Sequence, residues 1–287
     1  MSHLIDGRTL ARKIRASVKD TVEKMSEPPR LAVILVGDDQ ASHLYVSLKE
    51  KAAAEVGIAF EKHLFPDDVT ERAVLEEIRK LNERPEVDAI LVQLPLPEPL
   101  DAVRLVSAIA AEKEVDGFHP QNLEAMRRGQ PFMVPGVIEG IALLIEESGA
   151  NLEGQQALLL VNSETFALPL TLMLKGRGLK VVMLKQPIAR DEAVNLGRQS
   201  AVIVTALGEP KFITGEMVAD GAVLIDVGTT RLHDGKIAGD VHADDFKNRD
   251  VWLTPVPGGV GPVTVAMLLV RTLALAQKRR GQTSSPE

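Results

Sequence analysis

Leu31-Ala32-Val33-Ile34-Leu35-Val36-Gly37 is apolar at every position until a glycine closes it. A half-exposed strand alternates apolar and polar residues, so an unbroken run of this length fits a parallel strand buried on both faces. Parallel neighbours need crossover helices, and the flanking sequence supplies them. Ala41 to Val56 has helical periodicity and stops at Gly57, and Ile58 to Leu64 can form a second strand. Thr70 to Asn82 is a helix with Thr70 as its N-cap, and Val87 to Pro97 is a third buried strand that runs into proline. Upstream, residues 6–25 form a helix ended by Glu27-Pro28-Pro29. Strand and helix alternate, which predicts an α/β unit with a parallel sheet.

The pattern then repeats. Gly136 to Ser148 is a helix, and strands are expected at Ala157–Val161, Leu179–Leu184, Ser200–Ala206 and Ala222–Val227. A helix runs through Leu170–Leu174 and a last one from Val263 to about Lys278. The expected organisation is two α/β domains. Residues 1–133 with helix 263–280 form the first, 134–262 form a Rossmann-like second, and 281–287 are a disordered tail.

Composition narrows the function. The chain has 287 residues and a net charge of -7, which argues against non-specific nucleic-acid binding. It has no cysteine, so disulfides and thiolate chemistry are excluded. Its six histidines are dispersed, with no metal-ligand spacing. No signal pattern opens the chain, and no apolar run reaches the ~18 residues that span a membrane. A cytoplasmic protein without a membrane, nucleic-acid or metal partner is expected.

Three places carry polar groups that a fold alone does not require. In the 41–56 helix, Ala41, Leu44, Leu48, Ala52 and Val56 make an apolar face expected to pack on the core. Ser42, Tyr45 and Lys49 share the neighbouring strip, and Tyr45 is the only tyrosine of the chain. A desolvated Lys49 amine could act as a base; alternatively Lys49 reaches to solvent and Tyr45 covers the core. Gln93 closes an apolar strand at its carboxyl end, where ligands of parallel sheets bind, or else caps loop carbonyls. Asp116, in Glu114-Val115-Asp116-Gly117-Phe118-His119-Pro120, either makes a turn with Gly117 or presents a carboxylate to an amino-heterocycle. Finally, Thr254-Pro255-Val256-Pro257-Gly258-Gly259-Val260-Gly261-Pro262 specifies a fixed backbone path with exposed amides.

Taken in order and spacing, Tyr45-x-x-x-Lys49, Val92-Gln93-Leu94-Pro95-Leu96-Pro97, Asp116-Gly117-Phe118-His119-Pro120 and Pro255–Pro262 resemble the methylenetetrahydrofolate dehydrogenase/cyclohydrolase family, from Ile5-Asp6-Gly7 to the last helix. The resemblance implies two domains with a folate cleft between them, and a homodimer. It makes Lys49 the catalytic lysine, Gln93 the glutamine beside it, Tyr45 the stacking surface for the folate ring and Asp116 the anchor of the pterin. Ser42, Val92 and Leu94 would line the substrate, and Pro257, Gly258, Gly259, Val260 and Gly261 would close on it. The implied substrate is a tetrahydrofolate derivative.

The dinucleotide turn departs from the family. Where the family reads Gly-x-Ser and then Val-Gly-Arg/Lys-Pro, this chain has Val161-Asn162-Ser163-Glu164-Thr165-Phe166-Ala167-Leu168-Pro169. Glycines there let backbone approach phosphates, so a branched Val161 and an acidic Glu164 make NADP binding at Val161, Asn162 and Ser163 doubtful. The family's Pro-Cys-Thr-Pro is replaced by Pro135-Gly136-Val137-Ile138. The expectation is therefore a methenyltetrahydrofolate cyclohydrolase with weak or absent dehydrogenase activity. The alternatives are a fully bifunctional NADP-dependent enzyme and a non-catalytic folate-binding protein.

Overall fold

The computed structural model describes residues 2–130, 133–232 and 234–281. The tail expected over 281–287 lies, beyond Gly281, outside the described residues. In chain order the elements begin β1 (His3–Leu4), α1 (Gly7–Val22), β2 (Arg30–Val36), α2 (Gln40–Glu55), β3 (Ala59–Phe65), α3 (Glu71–Glu83) and β4 (Ala89–Val92). There follow α4 (Ala102–Ala108), α5 (Pro120–Arg127), α6 (Gly136–Glu146), β5 (Gln156–Val161), α7 (Glu164–Gly176), β6 (Lys180–Lys185) and α8 (Arg190–Arg198). The chain ends with β7 (Val202–Ala206), β8 (Val223–Asp226), β9 (Thr230–Arg231), β10 (Ile237–Ala238), β11 (Trp252–Leu253) and α9 (Val260–Arg279).

Two compact units emerge, Arg12–Gly136 with Val265–Glu287, and Met1–Ala11 with Val137–Thr264. The first eleven residues therefore part from the 1–133 grouping expected from sequence. The reason is pairing: His3 and Leu4 align in parallel with Trp252 and Leu253, so β1 extends the other unit's sheet.

In the unit that carries Lys49, β2 is the middle strand of a parallel sheet in the order β3-β2-β4. Its residues divide between two cores. Leu31, Val33 and Leu35 join Val46, Ala53, Leu269 and Leu273 on one face, and Ala32, Ile34 and Val36 join Val74, Ile78, Leu81 and Leu105 on the other. Each such apolar side chain stabilises the fold by about 1.5–3 kcal/mol when fully buried. Thr70 caps α3 as expected, its hydroxyl accepting from Ala73 N at 3.3 Å.

The phase of α2 differs from expectation. Leu44 and Leu48 are 58% and 44% exposed, and the buried face is Ser42, Val46, Ala52 and Ala53. Hydrophobicity alone misplaces this face because α2 carries apolar residues on more sides than its core contact uses. β4 is also shorter than expected, ending at Val92.

The other unit is built on a parallel six-stranded sheet in the order β1-β11-β8-β7-β5-β6. Read from β6, the strands follow the doubly wound order 2-1-3-4-5, whose switch point lies between β5 and β7. Its core gathers Leu158, Leu160, Ile203, Leu224, Val251 and Phe246. Sequence reading missed α5, α8 and the short strands β1, β9, β10 and β11. Most are too short to show a periodicity.

Among the described residues, α9 alone is long and apolar enough to cross a membrane, contrary to the expectation of no such run. Its length of 20 residues reflects a core position instead, because 61% of its apolar stretch is buried inside the protein. Val260 and Gly261, expected in a loop, form its first turn.

Candidate active site

β2 and β4 position the first group. Gln93 N donates to Ile34 O at 2.9 Å, which continues the ladder one residue past β4 and holds Gln93 at the carboxyl end of the sheet. Its side chain is 7% exposed, and its Nε2 donates to the Leu94 carbonyl. That bond leaves Oε1 as an acceptor for Lys49 Nζ, which donates to it at 2.8 Å. Burial depresses the pKa of the Lys49 amine below the ordinary lysine value, with Asp116 opposing the shift. Such a shift favours the neutral, lone-pair-bearing form of the amine more than solvent does.

Asp116 is brought to the same end by a short parallel bridge. Ile90 N donates to Lys113 O at 2.7 Å and Val115 N donates to Ile90 O at 3.3 Å, so residues 113–115 run along β4. Burial raises the pKa of Asp116, while Lys49 and Arg271 both pull it back. The loop is held from within by Glu114, whose carboxylate accepts from the backbone N–H of Asp116 at 2.9 Å, Gly117 at 2.9 Å and His119 at 3.1 Å. Burial pushes Glu114 up to about 7, and the Asp116 charge adds to that shift. His119 then caps α5, its Nδ1 accepting from Gln121 N at 3.1 Å.

The remaining residues expected at this site separate into two groups. Tyr45 is 40% exposed, and Leu44, Leu48 and Leu94 are exposed apolar residues as well. Ser42 and Val92 are buried, and Val92 packs in the core with Ile34 and Leu105. Sequence reading missed Glu114 and Arg271. The acid was visible only as one more turn residue, and Arg271 only as a break in an apolar helix.

Pro257, Gly258, Gly259, Val260 and Gly261 belong to the other unit. There a β-carbon on Gly7 would stand 1.9 Å from the Gly259 carbonyl oxygen, so these two backbones touch. Gly258 has φ +122°, a conformation that a side chain would strain.

The dinucleotide turn corrects one expectation. Val161 is fully buried within β5, paired with Lys185 and Ala206, so its branched side chain fills the sheet and does not obstruct the turn. Asn162 Nδ2 donates to Leu207 O at 3.0 Å and ties β5 to β7 across the switch point. Ser163 begins α7 in an extended conformation with no side-chain cap, which leaves the first amides of the helix available to a phosphate. Lys185 ends β6 beside them, bonded to Glu164 in the first turn of α7. These residues fit the phosphate portion of a dinucleotide, with Glu164 as the competing anion.

A buried lysine bonded to a glutamine amide and coupled to a buried carboxylate is an arrangement suited to proton transfer, and the second unit has a doubly wound topology. Comparisons with known proteins agree. Residues 5–116 match the family model for the tetrahydrofolate dehydrogenase/cyclohydrolase catalytic domain, and residues 135–280 match that for its NAD(P)-binding domain. The chain belongs to the tetrahydrofolate dehydrogenase/cyclohydrolase family. It is 39% identical over 280 residues to the bifunctional protein FolD of Moorella thermoacetica, covering 96% of this chain and 99% of that one. It resembles the crystal structure of the bifunctional enzyme FolD from Campylobacter jejuni, with TM-score 0.91 and 35% identity over 97% of this chain and 100% of that one. It also resembles the dehydrogenase-cyclohydrolase of Trypanosoma brucei complexed with NADP and an inhibitor, with TM-score 0.92 and 33% identity over 98% and 99% of the two chains. These relatives favour the bifunctional alternative over loss of the dehydrogenase half.

Proposed function

We propose that the chain is a bifunctional NADP-dependent 5,10-methylenetetrahydrofolate dehydrogenase and 5,10-methenyltetrahydrofolate cyclohydrolase. The observation that carries the reading is the 2.8 Å contact of Lys49 with Gln93 at the carboxyl end of β4. In the hydrolytic half, the neutral Lys49 amine takes a proton from water as its oxygen adds to the methenyl carbon. The carbon–N5 bond then breaks, the Lys49 ammonium returns its proton to N5, and the hydroxyl proton leaves to solvent, giving the N10-formyl product. Gln93 fixes the amine, Asp116 accepts from the pterin amino group, and Tyr45 gives the ring a flat surface. The positive charge of the substrate also favours the neutral amine.

NADP, when bound, supplies the acceptor for the hydride leaving the methylene carbon. Ser163, the first amides of α7 and Lys185 are the groups that would hold its phosphates. The proposal extends to a homodimer: β6 is a sheet edge with Met183 43% exposed, and pairing with a second copy would cover it.

The test is one cuvette of methenyltetrahydrofolate and NADPH. The methenyl absorbance should fall faster than its spontaneous rate, with NADPH consumed alongside. A level NADPH signal would leave a cyclohydrolase only, and no enzymatic change in either chromophore would overturn the reading.

A further inference from the structure

Two buried carboxylates lie where β7 and β8 end. Asp226 is the last residue of β8, and Asp240 follows β10. Asp226 uses both of its oxygens. Oδ1 accepts from Gly228 N at 2.9 Å and from Asp240 N at 3.1 Å, and Oδ2 accepts from Val241 N at 3.0 Å. Asp240 uses one. Its Oδ2 accepts from the Thr205 hydroxyl at 2.9 Å and from Leu207 N at 2.7 Å, while its buried Oδ1 has no hydrogen-bond partner among the described residues. Two glycines make room for the pair. A β-carbon on Gly228 would stand 2.4 Å from Asp240 Oδ1, and one on Gly239 would stand 2.0 Å from Asp226 Oδ2. From there the bonds run on to the dinucleotide turn. Leu207 is pinned at both of its polar groups, its N–H by Asp240 and its carbonyl by Asn162 Nδ2 at 3.0 Å. Asn162 directly precedes Ser163 and the uncapped start of α7.

We propose that Asp226 and Asp240 are positioning residues for the dehydrogenase half, holding Leu207 so that Asn162 and the turn at Ser163 meet a dinucleotide in one fixed arrangement. The inference rests on the NADP reading of this unit. Burial alone does not call for two acids here, because taking like charges out of water is costly. What carboxylates supply is strong acceptors at fixed points, since bonds to a charged acceptor are about twice as strong as neutral ones. Donors from three separate stretches, Thr205–Leu207, Gly228 and Asp240–Val241, converge on the pair. A binding turn keeps its geometry only when such a supporting shell is locked. The series Asp226, Asp240, Leu207, Asn162 is continuous, so a displacement of Asp240 passes to the turn. The two acids also differ in what an amide could replace. Asparagine at 240 keeps an acceptor for Thr205 and Leu207 and turns its NH2 toward the side where Oδ1 has no partner. Asparagine at 226 sets its NH2 against at least one backbone N–H in either orientation.

The test compares wild type with Asp240→Ala, Asp240→Asn, Asp226→Asn, Thr205→Val, Asn162→Ala and the double variant Asp240→Ala/Asn162→Ala. Isothermal titration reads NADP affinity. The KM for NADP, kcat for methylenetetrahydrofolate oxidation, the rate of methenyltetrahydrofolate hydrolysis and a thermal melt are read on the same preparations. Asp240→Ala and Asp226→Asn should each weaken NADP binding about tenfold, the scale of one bond lost at a buried charged group. Asp240→Asn should stay within about threefold of wild type. Thr205→Val removes one bond to Asp240, keeps the shape of the side chain and should cost about threefold. Asn162→Ala should cost about tenfold, and the double variant about tenfold instead of a hundredfold, because both changes act through Leu207. Additive losses overturn the inference, as does wild-type NADP affinity in Asp240→Ala or Thr205→Val. Losses of NADP affinity and hydrolysis that keep step with the melting temperature also overturn it, since that is the pattern of a general structural role. A wild type that binds no NADP overturns the bifunctional reading itself, and this inference with it.

Discussion

Lys49 Nζ donates to Gln93 Oε1 at 2.8 Å, and Gln93 Nε2 is committed to the Leu94 carbonyl. The amide can thus only accept from the lysine, which it can do from a neutral amine as well as from an ammonium. Lys49→Met and Lys49→Arg should both abolish hydrolysis, since arginine stays protonated at any usable pH. Folate affinity, followed by titration, should stay within about threefold, because the other ring contacts remain. Turnover in either variant would remove Lys49 from the chemistry.

Gln93→Glu places a carboxylate where the lysine needs a neutral partner. The new charge holds the ammonium protonated, so kcat at pH 7 should fall about 100-fold, the order of a general-base contribution. The loss should ease toward alkaline pH. A pH-independent loss in a rate profile would mean that Gln93 serves geometry alone.

Glu114 ties pH to stability. Its pKa in the fold is raised to about 7 from 4.5. A raised pKa contributes stability that is fully present below 4.5 and lost as pH rises through about 7. The difference corresponds to roughly 3 kcal/mol as an upper bound. Asp226, raised to about 6 by burial, acts in the same direction. Denaturant unfolding between pH 4.5 and 8 should therefore decline more gently with pH in Glu114→Gln than in wild type. Equal slopes would contradict the assignment.

Glu164 and Lys185 form an exposed ion pair beside the uncapped start of α7. Glu164→Gln should remove an anion and free the lysine, tightening NADP binding about fivefold at low salt, while Lys185→Gln should weaken it by a similar factor. Isothermal titration at two ionic strengths reads both effects. Unchanged affinity in both variants would place the phosphates elsewhere.

How far the sequence discloses this molecule depends on what each residue needs as a neighbour. Leu31–Val36 was legible because burial on both faces requires apolar residues throughout, and Thr70 because capping is a local act. Lys49, Gln93 and Asp116 were legible as motifs in register. The exposed side of α2 was not, because Leu44 and Leu48 look like core residues until the sheet fixes the orientation of the helix. Val161 looked like an obstruction because its burial depends on β6 and β7, strands that come later in the chain. Glu114 acts through backbone amides, and no periodicity reports such contacts.

The core that seats Lys49 includes Leu268, Leu269, Leu273 and Leu275 from α9. During synthesis, the segment from Arg12 to Gly136 must therefore wait for more than a hundred further residues before its interior can close. A message truncated anywhere before α9 yields a chain lacking that packing. Assembly of this centre therefore waits on α9, the last helix of the core.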